Sequence, residues 1–319
     1  MAIDRSCLEA SLEVVQKYQG TEKRIGSDGF GLGAIHLFKT LPSTNQKLWQ
    51  LIEQGAGSGT VAIASQQTAG RGQWGRTWRS PRGGLYLSLA LMPDLAAECS
   101  AHLTLSIAWG IANELRCWGI PVQLKWPNDL VLCRRKLGGI LTETRVRQGK
   151  IAAAVVGVGI NWANSVPETG INLATFLERQ QSDNGPPPPR SEETSMSAAR
   201  RHDLNFVNGP GLNSLETVAA IALEGILSGW HHLQTEGIET LLPAYTSLLN
   251  NLGGPVTVNG RLGHVVGVSA VGELQVQFEP DPSLLFAGVM PDSAGNQFAI
   301  APPETTVAFK PGTLQLGYE

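Results

Sequence analysis

The segment Thr60-Val61-Ala62-Ile63-Ala64 leads into Gln67-Thr68-Ala69-Gly70-Arg71-Gly72-Gln73-Trp74-Gly75-Arg76-Thr77-Trp78-Arg79-Ser80-Pro81-Arg82-Gly83-Gly84, which leads out into Leu85-Tyr86-Leu87-Ser88-Leu89-Ala90-Leu91. The first piece is apolar. The last carries leucine at every second position, the pattern of a strand with one face buried. The long glycine- and arginine-rich stretch is therefore expected to join two strands of a core sheet. No acidic residue occurs between Glu53 and Asp94, whereas Arg71, Arg76, Arg79 and Arg82 all fall there. Unbalanced positive charge on a glycine-rich backbone suits an anion. Main-chain N–H groups can approach it closely, and guanidinium forks bind carboxylate or phosphate in pairs. A mobile surface loop with solvated arginines is the competing reading. Two tryptophans inside the loop speak against it, because a disordered linker has little use for them.

Outward from this loop, Ile35–Phe38 reads as a strand. Ser43-Thr44-Asn45 then opens a helix in which Leu48, Leu51 and Ile52 share a face and Gly55 is a natural stop. Ser43 and Gln46 have the capping-box spacing, so Ser-Thr-Asn can serve simply as a helix start. Three short polar side chains at a helix N-terminus also make a small polar pocket. Downstream, Ser100 can cap a helix bearing Leu105, Ala108, Ala112 and Leu115 on one side. The run Val122 to Leu132 gives a strand ending at Lys125, a turn through Pro127, Asn128 and Asp129, and a returning strand. Lys125 is either poised over a cleft or exposed on an edge. Arg134-Arg135-Lys136-Leu137-Gly138-Gly139 reads as a basic hairpin turn followed by a glycine pair against which something packs. Ile151 to Ile160 is nearly continuous in Ala and Val, as a strand buried on both faces would be, and Asn161 is the first polar group after it.

Motifs of the common nucleotide-binding kinds are missing. No G-x-x-x-x-G-K-[ST] occurs, and Gly157-Val158-Gly159 ends a strand without the third glycine of a dinucleotide fingerprint. Residues 178–210 shift to a polar, proline-rich composition, including Pro186 to Pro189, and are expected to be a disordered or polyproline insertion. A long helix begins at Ser214 and a shorter one covers Ile238 to Leu249. Beyond Gly253-Gly254-Pro255 the pattern turns to short strands with an Asn259-Gly260 turn. A net charge of -3 over 319 residues gives no sign of bulk affinity for nucleic acid or membrane, so any cationic site is local. No apolar run is long enough to span a bilayer, and no signal-peptide core is visible. The four cysteines lack C-x-x-C spacing and are expected to be reduced, mostly buried thiols of a cytoplasmic protein.

Taken in order, Ser43-Thr44-Asn45, Gln67 to Trp78, Lys125-Trp126-Pro127-Asn128-Asp129, Arg135 to Leu141 and Gly157 to Asn161 resemble the motif series of the biotin protein ligase family. The resemblance covers roughly residues 35 to 280 and departs at Gln73, where some members carry arginine, and after Ser283. It implies an α+β fold: a class II aminoacyl-tRNA synthetase-like catalytic domain with a mixed β-sheet at 35–252, an N-terminal extension at 1–34, and a small C-terminal SH3-like β-barrel at 253–319. It implies no N-terminal DNA-reading domain. It also implies a two-step reaction on biotin and ATP with Mg²⁺, giving biotinyl-5′-AMP and then a biotinylated lysine.

By resemblance, Ser43, Thr44, Asn45, Gln67, Arg71, Gly72, Gln73 and Lys136 match positions on the biotin side. Gly70, Arg71, Trp74, Arg76, Lys125, Asn128 and Asn161 match the nucleotide side. Lys125, Arg71 and Asp129 are the catalytic candidates, and no residue is assigned as a metal ligand. The implied partner is a biotin carboxyl carrier protein of acetyl-CoA carboxylase or a related carboxylase. No nucleic acid or membrane is expected, and the protein is expected to be a monomer or weak homodimer. The rival readings are a lipoate protein ligase and a biotin-sensing regulator.

Overall fold

Strand patterning places a mixed sheet at the centre of the chain. The computed structural model describes residues 3–18, 31–183, 212–279, 289–291, 297–299, 305–314 and 316. In chain order the large sheet takes β1 (Ile35–Phe38), β2 (Val61–Ala64), β3 (Leu85–Leu91), the short β4 (Leu95–Ala96), β5 (Gln123–Lys125), β6 (Asp129–Leu132), β7 (Arg135–Arg147) and β8 (Lys150–Ile160). Its spatial order is β1-β2-β3-β8-β7-β6-β5, with β4 also paired to β8. Only β1 and β2 run parallel; the other pairs are antiparallel. The edge at β5 is continued by residues 248–250, through Leu124 N–H to Leu248 O and Asn250 N–H to Leu124 O.

The helices are α1 (Arg5–Tyr18), α2 (Thr44–Glu53), α3 (Ser100–Cys117), α4 (Leu173–Asp183), α5 (Leu215–Thr235) and α6 (Gly237–Ser247). Alternation along the central strands sorts the two faces of the sheet. Leu87, Leu89, Val156 and Val158 point into the main core with α1, α3 and α5. Ala62, Ala90 and Val155 point the other way, against Leu48 of α2. Every residue of β3 is therefore buried, which corrects the expectation of one buried face. The strand lies inside the sheet, with helices on both sides. Leu8, Leu12 and Val15 of α1 are buried in the main core, as their spacing suggests.

Helices α3 and α5 cross at small residues. A Cβ at Gly110 would overlap Gly225 O, and one at Gly229 would overlap Ser106 O, so the backbones touch. Ser214 caps α5 by accepting from Thr217 N–H at 3.1 Å. Ser100 does not cap α3: a short 3₁₀ turn at Ala97–Cys99 precedes it, and Ser100 is already the first helical residue. Residues 178–183 belong to α4, so the polar segment starts later than its composition suggests. The Pro186–Pro189 tract lies outside the described residues. The cysteines correct a further expectation. Cys7, Cys117 and Cys133 are exposed and Cys99 is half-buried, because they fall on outer helix turns and in the β6–β7 hairpin.

The C-terminal strands are β9 (Pro255–Val258), β10 (Arg261–Val268), β11 (Leu274–Phe278), β12 (Val289–Pro291), β13 (Gln297–Ala299) and β14 (Thr305–Phe309). Asn259 and Gly260, both at positive φ, make the β9–β10 turn. Among the described residues these strands form an open four-stranded sheet in the order β14-β11-β10-β9, plus the β12–β13 pair. No closed barrel is present among them. The sheet leans on the larger unit, where Trp126 Nε1 donates to Gly272 O at 3.0 Å and His102 Nε2 lies 2.7 Å from Ala270 O. Among the described residues, no helix is long and apolar enough to cross a membrane.

Candidate active site

The site is built on the sheet face that α2 covers only in part. Past the N-terminus of α2 the β8 side of this face is floored by glycines. In β8 the outward positions after Val155 are Gly157 and Gly159, and in β7 they run Gly139, Leu141, Glu143. The bare floor leaves a cleft of about 1200 Å³. Gly157 lies directly against the Asn45 amide and Gly159 against the Trp78 indole, so a methyl group at either position would collide with them.

At one end of the cleft stands a closely bonded polar cluster. The N-terminal turn of α2 presents Ser43, Thr44 and Asn45, all at least nine-tenths buried. Ser43 caps the helix by accepting from Gln46 N–H at 3.5 Å. Gln67 Oε1 accepts from Thr44 N–H at 2.8 Å, and Gln67 Nε2 donates to Ser80 Oγ at 2.9 Å. Ser88 Oγ lies 2.8 Å from Thr44 Oγ1 and donates to Asn45 Oδ1 at 2.6 Å. Asn45 Nδ2 donates to Glu143 Oε2 at 2.9 Å.

The glycine-arginine stretch is an irregular hairpin folded over this cluster. Gln67 N–H donates to Ser80 O, Trp78 N–H to Gly70 O, and Gly72 N–H to Arg76 O. Its tip is a 3₁₀ turn at Gln73–Gly75, with Trp74 at φ 58°. Trp78 turns inward and lies under Lys136, whose Nζ is 5.4 Å from the ring centroid. Trp74 stays largely exposed at the rim, its ring against Gly312 of the C-terminal segment. Arg71, Arg76 and Arg79 line the cleft, and Arg82 does not.

The opposite wall carries the lysines. Lys125 ends β5 and is 6% exposed, not an edge residue in water. Burial lowers its pKa to about 8; the Asp129 carboxylate opposes that shift, and the neighbouring Lys136 and Arg76 add to it. Lys136 Nζ pairs with Asp129 Oδ1 at 2.7 Å. Among the described residues, Asp129 is the one carboxylate that lines the cleft. Asn128 Nδ2 donates to Ile140 O, which fixes the turn after Pro127. Buried Asn161 holds the end of β8 and accepts from Asn164 Nδ2 at 2.9 Å. Thus Ser43, Thr44, Asn45, Gln67, Gly70, Arg71, Gly72, Gln73, Trp74, Arg76, Lys125, Asn128, Asp129, Lys136 and Asn161 all line one cleft. A carboxylate and a polyphosphate can both be neutralised there, and the polar cluster can read an uncharged head group.

Residues 37–161 match the model of the biotin/lipoate A/B protein ligase family. The chain is similar to the bifunctional ligase/repressor BirA of Escherichia coli, 41% identical over 143 residues, and to that of Bacillus subtilis, 35% over 144 residues; each match covers 44% of both chains. It is also 35% identical over 131 residues to the biotin–[acetyl-CoA-carboxylase] ligase of Paracoccus denitrificans, covering 40% of this chain and 54% of that one. The chain thus spans about half the length of the curated relatives it matches. Its fold extends the likeness. The biotin protein ligase from Aquifex aeolicus, solved in complex with biotin and ATP, superposes with a TM-score of 0.52 at 21% identity, covering 87% of this chain and 100% of that one. The matched stretch takes in all five motifs and ends on Asn161, the last residue of the fifth.

Several contact residues escape a motif reading. Ser88 sits inside a strand that looks purely structural, and Glu143 lies outside every motif. Period-two counting from Gly139 puts Glu143 on the site face, so the signal was present. Trp78 belongs to the motif, but nothing local shows that its ring packs on Gly159.

Proposed function

We propose that the chain is an ATP-dependent biotin protein ligase. The biotin carboxylate attacks the α-phosphorus of ATP, forming biotinyl-5′-AMP and releasing pyrophosphate. A lysine amine of a biotin carboxyl carrier domain then attacks the mixed anhydride, forming an amide and releasing AMP. The observation that carries this reading is the convergence of Arg71, Lys125 and Lys136 on one cleft beside an uncharged, hydrogen-bonded cluster at the N-terminus of α2. Two anions that repel each other need such fixed cations to reach bonding distance. The bonded cluster suits a neutral ureido-like head group with both donor and acceptor atoms.

Within this reading Ser43, Thr44, Asn45 and Gln67 take the biotin ring end. Lys136 meets its carboxylate, and Lys125 meets the reacting phosphate. Arg71, Gly72 and Gln73 cover the adenylate, while Asn128 and Asn161 stand on the nucleotide side. Magnesium fits as a companion of the phosphates and not as a resident ion. Among the described residues no three His, Cys, Asp or Glu side chains gather to hold a metal, and Asp129 is the single lining carboxylate. A magnesium bound by phosphate oxygens, water and one carboxylate is the usual arrangement. We read residues 35–252 as a class II synthetase-like catalytic unit and 253–319 as a C-terminal unit whose strands are SH3-like.

Incubation with biotin, MgATP and a carrier domain, followed by mass analysis, is expected to give one lysine heavier by a biotinyl group. Pyrophosphate exchange supported by lipoate and not by biotin would move the assignment to the other branch of the family.

A further inference from the structure

Glu143 stands behind the cleft and not in its lining, yet two parts of the site converge on it. Its Oε2 accepts from Asn45 Nδ2 at 2.9 Å and from Trp49 Nε1 at 3.2 Å. Its Oε1 lies 3.6 Å from Arg71 Nη2. Trp49 is itself held from the far side by Arg145, whose guanidinium stacks 4.3 Å from the ring centroid and pairs with Glu53 at 2.7 Å. One oxygen therefore faces the base of the polar cluster and the other faces the hairpin that covers it. The hairpin has no acidic residue of its own, so the acid that meets Arg71 comes from β7.

We propose that Glu143 is a positioning residue that ties the polar pocket, through Asn45, to the cationic hairpin, through Arg71. A guanidinium offers two donor edges. With Nη2 beside Glu143, the other guanidinium donors of this cleft-lining residue are left for a substrate anion. The same carboxylate fixes Asn45, so a ligand that settles on Asn45 is felt at the hairpin through one shared side chain. This role deepens the ligase reading and rests on it for the substrate-dependent readouts. The Arg71 contact is half in water and long for an ion pair, so it is worth no more than ~1 kcal/mol, about fivefold in an equilibrium. A hairpin held that lightly can still lift to admit substrate and release product.

Glu143→Gln tests the link with little change of shape. The glutamine carbonyl can keep the Asn45 and Trp49 bonds, while its amide replaces the oxygen that faces Arg71. Limited trypsin digestion of the ligand-free full-length protein should cut the hairpin after Arg76 and Arg79 about fivefold faster in E143Q than in wild type. In the adenylation assay E143Q should raise the KM for ATP about fivefold at nearly constant kcat. It should also leak more biotinyl-AMP when no acceptor is present. R71Q should reproduce the faster digestion and lower adenylation further than E143Q, because Arg71 itself lines the cleft, and E143Q/R71Q should be no worse than R71Q alone, since the two act as one unit. Equal digestion rates in E143Q and wild type, or effects that multiply in the double variant, would overturn the proposal. Should none of the proteins form an adenylate with biotin, the ligase reading fails, and the ligand-free digestion still decides whether Glu143 holds the hairpin.

Discussion

Gly157→Ala adds one methyl group to the floor of the cleft, and the structure shows what it must displace. Gly157 faces Ser88 across β3 and Leu141 across β7. Its missing side chain is the space that the Asn45 amide occupies: a Cβ would overlap Oδ1 and lie 3.0 Å from Cγ. Asn45 cannot retreat without cost. It is 3% exposed and bonded to Ser88 Oγ at 2.6 Å and to Glu143 Oε2 at 2.9 Å. Losing two such bonds costs ~2 kcal/mol, and forcing a methyl into a filled space costs ~1–3 kcal/mol more. Part of this appears as reduced stability. The rest falls on the ligand, because the displaced amide has only the cleft to move into. A share of ~2 kcal/mol weakens biotin binding about thirtyfold. Calorimetric titration with biotin and ATP–pyrophosphate exchange at varied biotin should both show it, with the KM for ATP little changed. In an Asn45→Ala background the added methyl has room, so G157A/N45A should bind biotin no worse than N45A. A G157A protein with wild-type biotin affinity would refute the placement of Asn45 in the biotin pocket.

Lys125→Ala should slow biotin-dependent ATP–pyrophosphate exchange about 10²–10³-fold, the worth of one preorganised cation at a reacting phosphate; an undiminished rate would remove Lys125 from the mechanism. Because burial depresses the Lys125 pKa to about 8, the ammonium is lost as pH rises through that value, so adenylation kcat/KM should fall on the alkaline side. Between about pH 8 and its ordinary pKa the unfolded chain holds a proton that the folded one lacks, so this group makes stability rise with pH across that window. Lys125→Met should accordingly raise the melting temperature at pH 7 while slowing exchange as far as Lys125→Ala does. Gly70→Ala places a methyl 2.5 Å from Ser80 Oγ and Trp78 O and should open the hairpin, increasing release of free biotinyl-AMP as read by chromatography of acceptor-free reactions. Gly229→Val drives a side chain into the Ser106 carbonyl of α3 and should destabilise the fold by ~3 kcal/mol or more, measured by urea denaturation.

Local chemistry made much of this fold legible. Alternating leucines marked β3, Gly55 closed α2, and the Ala/Val run of β8 signalled a strand with both faces covered. The arginines and lysines of the cleft could be found because each stands beside a glycine or a turn where a strand ends. What stayed hidden depends on partners distant in sequence. Ser88 joins the polar cluster only because the register sets it opposite Gly157, beside the end of α2. The α3–α5 contact was written as glycines at 110, 225 and 229, but small residues in a helix do not say which helix will approach them. The glycine-arginine stretch looked like an open loop because its ladder is irregular. It pairs 67 with 80, 70 with 78 and 72 with 76, and no alternation of side chains announces those bonds.

The distribution of charge in the cleft argues that substrate completes it. Lys125 is buried, Lys136 and Asp129 form a half-buried pair, and Arg71 and Arg76 stand on the exposed hairpin. Among the described residues, one lining carboxylate faces five lining cations. Burial is the main cause of the lowered Lys125 pKa, and repulsion from Lys136 and Arg76 adds to it. Bound carboxylate and phosphate would reverse that, returning the Lys125 pKa upward and making each cation favourable where it stands. Binding energy that relieves repulsion already built into the protein is greatest when both anions are present together, which under the proposed function favours the arrangement from which an anhydride would form. Glu143 fits the same logic. It lies outside the lining, where its charge can aim Arg71 without cancelling the field inside the cleft. A carboxylate moved four residues back along β7, to Gly139, would sit among the lysines and neutralise the field that the reaction needs.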